Sequence, residues 1–374
     1  MSERRVVRLG EVADVGWGDT ATTKSAYALD GYPAFSASGP DGFLPWAQFN
    51  GPGIVLSAIG AQAGRTWLAS GEWSTIKNTI RILPKDPSVS IEFLYWVTRD
   101  PSIWPIRGSA QPFISQGDAR DLLVSLPDLQ QQRGIAEVLG ALDDKIAANA
   151  ALAQSADALA GPVFARACTD PDVSAAPLGS LATMVLGGTP SRTNEAYWRD
   201  GTVPWLNSGK ANEQRVISPS ELITEEALAK SAAKMMPIGA TVLAITGATL
   251  GQVARLEIEA CGNQSLVGVW GPSDADTDWI HFAVREAIPE LLKSATGAAQ
   301  QHVNKQAVAN LPIITASKET VAKFGAAVRP LLSRAAQADR ESAVLAETRD
   351  ALLPQLMSGK IRVKDAERVV EEVV

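Results

Sequence analysis

A few polar runs carry most of the chemistry this chain can offer. Gln300-Gln301-His302-Val303-Asn304-Lys305 places five polar side chains in six positions, just after a Gly-Ala-Ala turn. Asn263-Gln264 and Lys77-Asn78 set further donors and acceptors beside short apolar runs. Amide and ammonium groups on turns suit recognition of a polar ligand by hydrogen bonds. The plainer reading of the first run is a solvated loop that caps the helix after it. Metal or nucleophilic chemistry has less to work with. His281 and His302 are the only histidines, and Cys168 and Cys261 lie far apart outside any ligand or redox spacing, so neither a zinc site nor a histidine-based triad is expected. Gly209-Lys210 is not a phosphate loop, because Pro204 stands where its first glycine belongs and Ala211 follows the lysine. Glu225-Glu226 with Lys230 reads as a solvated helix face.

The elements that position these residues occur twice. Leu9-Gly10-Glu11 is matched by Leu178-Gly179-Ser180, and the apolar run Gly53–Gly60 by Gly239–Gly247 with one inserted residue. Gly108-Ser-Ala-Gln111 is matched by Gly297-Ala-Ala-Gln300, and Leu126-Pro127 by Leu311-Pro312. A period near half the chain is too long for a solenoid and implies two homologous domains. The expected division is 1–127, a first domain; 128–176, a helical spacer and linker; 177–314, a second domain; and 315–374, a second helical spacer with a tail.

Both spacers show a heptad. Ile135, Leu139, Leu142, Ile146, Asn149, Ala153, Ala156, Ala160 and Val163 alternate steps of four and three, as do Phe324, Val328, Leu331, Ala335, Ala338, Ser342, Leu345, Arg349, Leu352 and Leu356. The two helices are expected to pair antiparallel, as a spacer roughly 50 Å long at 1.5 Å per residue. Pro330 is expected to kink the second, and Asn149 is a polar intrusion in the seam. Within each domain, 53–59, 65–68, 78–83, 241–246 and 266–270 read as strands. Ser90–Arg99, Thr224–Met235 and Asp278–Lys293 read as helices. The fold class is therefore α+β: two homologous domains on a long antiparallel two-helix coiled coil, in a pseudo-twofold arrangement.

The net charge of −7 divides unevenly. The first helical spacer carries 3 basic against 7 acidic groups, and the second domain 10 against 13. No segment forms the basic stripe of a free-standing nucleic-acid binder. No apolar run approaches a membrane span or secretory signal, and the cysteines fit a reducing, cytoplasmic setting.

Leu126-Pro127-Asp128-Leu129-Gln-Gln-Gln-Arg133-Gly134-Ile135 with Ala141-Leu142-Asp143-Asp144-Lys145-Ile146, and the run Leu345–Ile361, resemble the helical signature of Type I restriction–modification specificity subunits. Gly187-Gly188-Thr189-Pro190-Ser191, Tyr197-Trp198 and Pro204-Trp205 resemble that family's target recognition domains. The first repeat departs from the pattern, with Gly16-Trp17-Gly18 in place of the glycine-rich run and no Tyr-Trp pair. The resemblance implies a non-catalytic subunit that reads a bipartite double-stranded DNA site, one half per domain. Two modification subunits would carry S-adenosylmethionine and methylate adenine, and restriction subunits would use ATP and Mg. No cofactor or metal is expected on this chain, which also lacks an Asp-Pro-Pro-Tyr or Asn-Pro-Pro-Tyr tetrapeptide.

On that resemblance, the candidate DNA-reading side chains are Arg65, Lys77, Asn78, Gln111, Ser115 and Gln116 in the first domain. In the second they are Arg192, Asn207, Lys210, Asn263, Gln264, Gln300, Gln301, His302, Asn304 and Lys305. Trp17, Trp46, Trp198 and Trp205 fit stacking on bases or, more readily, core packing. Exposed Leu152 and Leu159 and the Leu352–Leu356 end are candidates for partner contact. The competing readings are a two-domain protein scaffold, favoured by the acidic charge, and a stand-alone DNA-modifying enzyme.

Overall fold

The computed structural model describes residues 4–295 and 302–372. The chain divides into two compact units. One comprises the chain up to Lys145 together with the segment from Val344 onward; the other is Ile146–Ala343. Among the described residues, no helix is long and apolar enough to cross a membrane.

In the first unit, a four-stranded antiparallel sheet runs in the order Ala13–Trp17, Thr79–Pro84, Gly53–Ser57, Thr66–Ala69. Gly53–Ser57 is buried at every position, as an apolar run in a central strand should be. A second sheet pairs Tyr32–Ser36 antiparallel with Gly39–Leu44 and parallel with Glu72–Thr75, with Phe49–Asn50 at its edge. Trp73 lies fully buried between Phe35 and Phe49 and donates its indole N–H to the Gly51 carbonyl at 2.8 Å.

The second unit repeats this plan. Its main sheet places Thr183–Leu186, Leu266–Trp270, Thr241–Ala244 and Val253–Leu256 in the same order, and adds Arg215–Val216 at the edge. A smaller sheet again contains a parallel pair, Val203–Leu206 with Cys261–Gly262. Within each unit a short antiparallel pair closes the globular repeat: Arg5–Arg8 with Leu123–Leu126, and Ser174–Pro177 with Pro312–Thr315. Leu9 N–H donates to Leu122 O, and Leu178 N–H to Leu311 O. This register corrects the sequence alignment. Leu311 is the counterpart of Leu122, and Leu126 is the counterpart of Thr315. Leu311-Pro312 opens its strand, whereas Leu126 closes one. The long helices begin three residues after each strand, at Leu129 and Lys318.

Those helices run over Leu129–Ala167 and Lys318–Ser358. The second continues through Pro330, which sits on an exposed face. In the second unit the helices run antiparallel: Asn149 pairs with Glu341 and Phe164 with Phe324. Ala153, Ala156, Ala335 and Ala338 pack as a cluster of small side chains. The polar seam residue is satisfied, because Asn149 Nδ2 donates to Glu341 Oε2 at 3.0 Å. The pair is bound to its domain by Phe164, Trp279, Phe282 and Phe324, whose ring centroids lie 5.1–5.6 Å apart. In the first unit, Ile135, Leu139, Leu142, Leu345, Leu352 and Leu356 are all buried. There Asp143 accepts from both Arg99 and Arg349.

Two helix boundaries differ from the pattern. The predicted 224–235 helix spans only Glu225–Lys230, because Ala232 and Ala233 are drawn against the backbone of Gly188. The predicted 278–293 helix starts earlier, at Asp274, where Ser273 caps it by accepting from Asp276 N–H.

Candidate nucleic-acid interface

Equivalent hydrogen bonds gather equivalent loops at the end of each central strand. In the first unit, Ala58 N–H donates to Asn78 O at 3.0 Å, Ile114 N–H to Ala58 O at 2.8 Å and Gly60 N–H to Pro112 O at 2.9 Å. Lys77 N–H donates to Thr22 O, and Gly18 N–H to Thr79 O. Four loops, near residues 18–24, 58–65, 76–78 and 107–115, are thereby laced together. In the second unit, Ile245 N–H donates to Ser265 O and Val303 N–H to Ile245 O, each at 2.9 Å. Gly187 N–H donates to Leu266 O and Gly188 N–H to Gly262 O. These bonds make Lys77 the counterpart of Gln264, Phe113 of His302, Ser115 of Asn304 and Gln116 of Lys305.

The Gly187-Gly188 pair is required by close approach. A Cβ on Gly187 would stand 2.1 Å from the Asn263 carbonyl oxygen, and one on Gly188 2.5 Å from Ala232 C. In the first unit, Arg107 and Phe113 exchange two backbone hydrogen bonds, 2.9 and 2.8 Å, which close a hairpin whose tip carries exposed Gln111.

A family model described as the Type I restriction modification DNA specificity domain matches residues 1–156 and again 172–322. The chain belongs to this family. Among curated relatives, the MjaIX specificity subunit of Methanocaldococcus jannaschii is 22% identical over 342 residues, 84% of this chain and 78% of that protein. The EcoR124I/EcoR124II specificity subunit of Escherichia coli is 26% identical over 121 residues; the chain spans only 30% of its length. The fold agrees with a solved Type I restriction–modification S subunit from M. genitalium, with a TM-score of 0.71 at 16% identity, covering 95% of this chain and 96% of that one.

Within this specificity-domain framework the candidate side chains separate into two sets. The first stays open to solvent. Lys77 and Asn78 are exposed on a tight turn, with Asn78 in the left-handed region at φ 69°. Gln111, His302 and Lys305 are exposed. Arg65 is exposed and donates to Gln62 Oε1 at 2.7 Å. Gln264 is exposed and accepts from Thr189 Oγ1 at 2.6 Å.

The second set makes hydrogen bonds within the fold, and Asn304 does so as the helix-capping reading of its run expected. Ser115 Oγ accepts from Asp118 N–H and Asn304 Oδ1 from Ala307 N–H, so both cap helices. Asn207 Oδ1 accepts from Gly209 N–H, and Asn263 Oδ1 from Ser265 N–H. Gln116 Nε2 donates to Val15 O at 2.9 Å. Lys210 is held by Ser218 and Glu213. Both terminal nitrogens of Arg192 bind Glu221 at 2.7 Å, and its guanidinium lies 3.5 Å from the Trp198 ring centroid. Those hydrogen bonds hold the Glu221 carboxyl below the usual range. Gln300 and Gln301 lie outside the described residues.

The tryptophans divide as well. Trp205 is buried and donates to Gly188 O, whereas Trp17 and Trp46 remain 38% and 43% exposed. Phe113, 40% exposed at the position equivalent to His302, is a surface group that a search for polar side chains passes over. Its signal in the sequence is its place two residues after the repeated Gly-Xaa-Ala-Gln element.

Proposed function

We propose that this chain is the non-catalytic, sequence-reading subunit of a Type I restriction–modification complex. Each unit takes one half of a bipartite double-stranded DNA target. Modification subunits, two per chain, bring S-adenosylmethionine and methylate adenine; restriction subunits bring ATP and Mg. The observation that carries this reading is the duplication of one loop cluster at the same end of the same sheet in two family-matched units. A ligand with two comparable half-sites is what such a duplication serves.

The chain's own part is positional. Buried strands fix the loop ends, and Lys77, Asn78 and Gln111 in one unit and Gln264, His302 and Lys305 in the other offer ammonium, amide and imidazole groups to base edges and phosphates. With a net charge of −7, partner subunits supply much of the phosphate-contacting charge. The test is single-molecule methylome sequencing of a host carrying this gene with its modification partner, against the same host without it. The expected result is a new adenine-methylated motif with two specified halves and an unspecified gap. Expression of both proteins with no new motif would overturn the reading.

A further inference from the structure

Phe113 is 40% exposed among the polar loops of the first unit, and its place in the fold is taken in the second by exposed His302. Phe113 bridges antiparallel to Ile59, and His302 to Thr246. The residue after each, Ile114 or Val303, is buried and donates its N–H to the carbonyl just past the central strand, Ala58 or Ile245. Successive side chains of an extended segment point to opposite sides, so burying Ile114 and Val303 turns Phe113 and His302 outward. The same outward position therefore carries a hydrocarbon ring in one unit and an imidazole in the other.

The ring is braced. Phe113 and Arg107 exchange two backbone hydrogen bonds, and the Arg107 guanidinium donates to Asp118, whose own N–H is accepted by Ser115 Oγ. A Cβ on Gly108, at φ 80°, would lie 3.6 Å from Cδ1 of the ring, so one side of the ring rests on the hairpin. An aromatic group beside a DNA duplex has two uses. A wedge between base pairs has to project clear of the protein, and a ring more than half covered does not. A contact with a base edge needs only one exposed side of the ring. The apolar group that base edges present in the major groove is the 5-methyl of thymine. Phe113 has no side-chain donor or acceptor, so hydrogen-bonded reading is left to the other loops, where Lys77 and Asn78 are exposed.

We propose that Phe113 is a specificity-determining residue, selecting thymine in the first unit's half-site through its 5-methyl group. The equivalent His302 meets the second half-site with ring nitrogens, so the two halves are read by different chemistry at matched positions. This inference rests on the proposed function and deepens it by naming one base and the group recognised.

The test uses the complex of the full chain with its modification partner. The half of the methylated motif that Lys77→Ala loosens is the first unit's. Duplexes in which single thymines of that half are replaced by deoxyuridine, which removes only the methyl, are titrated by fluorescence anisotropy. One replacement is expected to weaken wild-type binding about fourfold, the effect of burying one methyl-sized group. Phe113→Ala and Phe113→His, the latter copying the second unit, are expected to bind both duplexes equally. A structural role alone would weaken binding to both duplexes and keep the wild-type ratio between them. Wild-type binding that is insensitive to every replacement, or variants that keep the ratio, overturns the inference and leaves the functional reading intact. A wild-type complex that methylates no bipartite motif overturns the functional reading and this inference with it.

Discussion

Replacing Arg215 with methionine tests how the second unit holds its helices. Arg215 lies on the edge strand Arg215–Val216, with its side chain 6% exposed. Its Nε donates to Asp339 on one long helix and its Nη1 to Asp157 on the other, both at 2.6 Å. Burial works against the guanidinium charge, but the hydrogen bonds it donates to both aspartates more than offset it, so its protonation is strengthened. Breaking a buried ion pair by removing one partner costs about 3–5 kcal/mol, because the other charge stays behind. Here the aspartate side chains are 16% and 31% exposed and can partly rehydrate, which lowers the expected loss to about 2–4 kcal/mol. For a unit of this size that is roughly 5–15 °C in melting temperature. Urea denaturation followed by circular dichroism reads the loss directly. Asp157→Asn keeps the Asp339 contact and should cost only about 1 kcal/mol. If Arg215→Met unfolds within 0.5 kcal/mol of wild type, the clamp contributes no net stability and the reasoning fails.

Three further outcomes follow from named contacts. His281 is buried against Thr241 Oγ1 at 3.2 Å, and burial holds its pKa well below the ordinary histidine value. The unfolded chain takes up a proton below about pH 6.5 where the folded chain does not, so stability should fall as pH drops through that window, by at most about 1.4 kcal/mol per pH unit. Denaturation series at pH 7.5 and 5.5 should show a shallower slope for His281→Gln. Removing the caps, as Ser115→Ala or Asn304→Ala, should lower stability by about 1 kcal/mol and leave the methylated motif unchanged; a changed motif would assign those side chains to DNA instead. Lys77→Ala and Gln264→Ala alter equivalent positions, and methylome sequencing should find each loosening a different half of the motif. Loosening of the same half by both would break the equivalence of the two loop clusters.

The regular elements were legible because periodicity and burial report the same physics. The strands at 53–57, 79–84, 241–244 and 266–270 and nearly every heptad position were visible in the sequence, since apolar runs and four-three spacing arise from the core itself. The Leu-Pro alignment failed because two leucines of similar context sit at opposite ends of equivalent strands, and only pairing register separates them. The candidate site was legible as loops but not as side chains. Ser115, Asn207, Asn263 and Asn304 are small polar residues on turns, the type that binds local backbone as readily as a ligand. The ion pair of Arg192 could not be read in the sequence because its partner Glu221 lies 29 residues away, on a strand.

The composition of the first unit from both ends of the chain bears on how the protein is made. Arg4 donates to the carbonyls of Leu356 and Met357, and a Cβ on Gly134 would stand 3.0 Å from Val363. Residues up to 145 therefore leave the ribosome without the segment from 344 onward that completes their unit. At about 5–20 residues per second, that wait lasts roughly ten to forty seconds. Through it, Arg4, Gly134 and Asp143 wait for their partners Leu356 and Met357, Val363, and Arg349. The second unit, one continuous stretch, can close first although it is synthesised later. The unit begun first is thus the last to be completed, which makes its early segment the one on which a chaperone, or a partner subunit translated nearby, has longest to act.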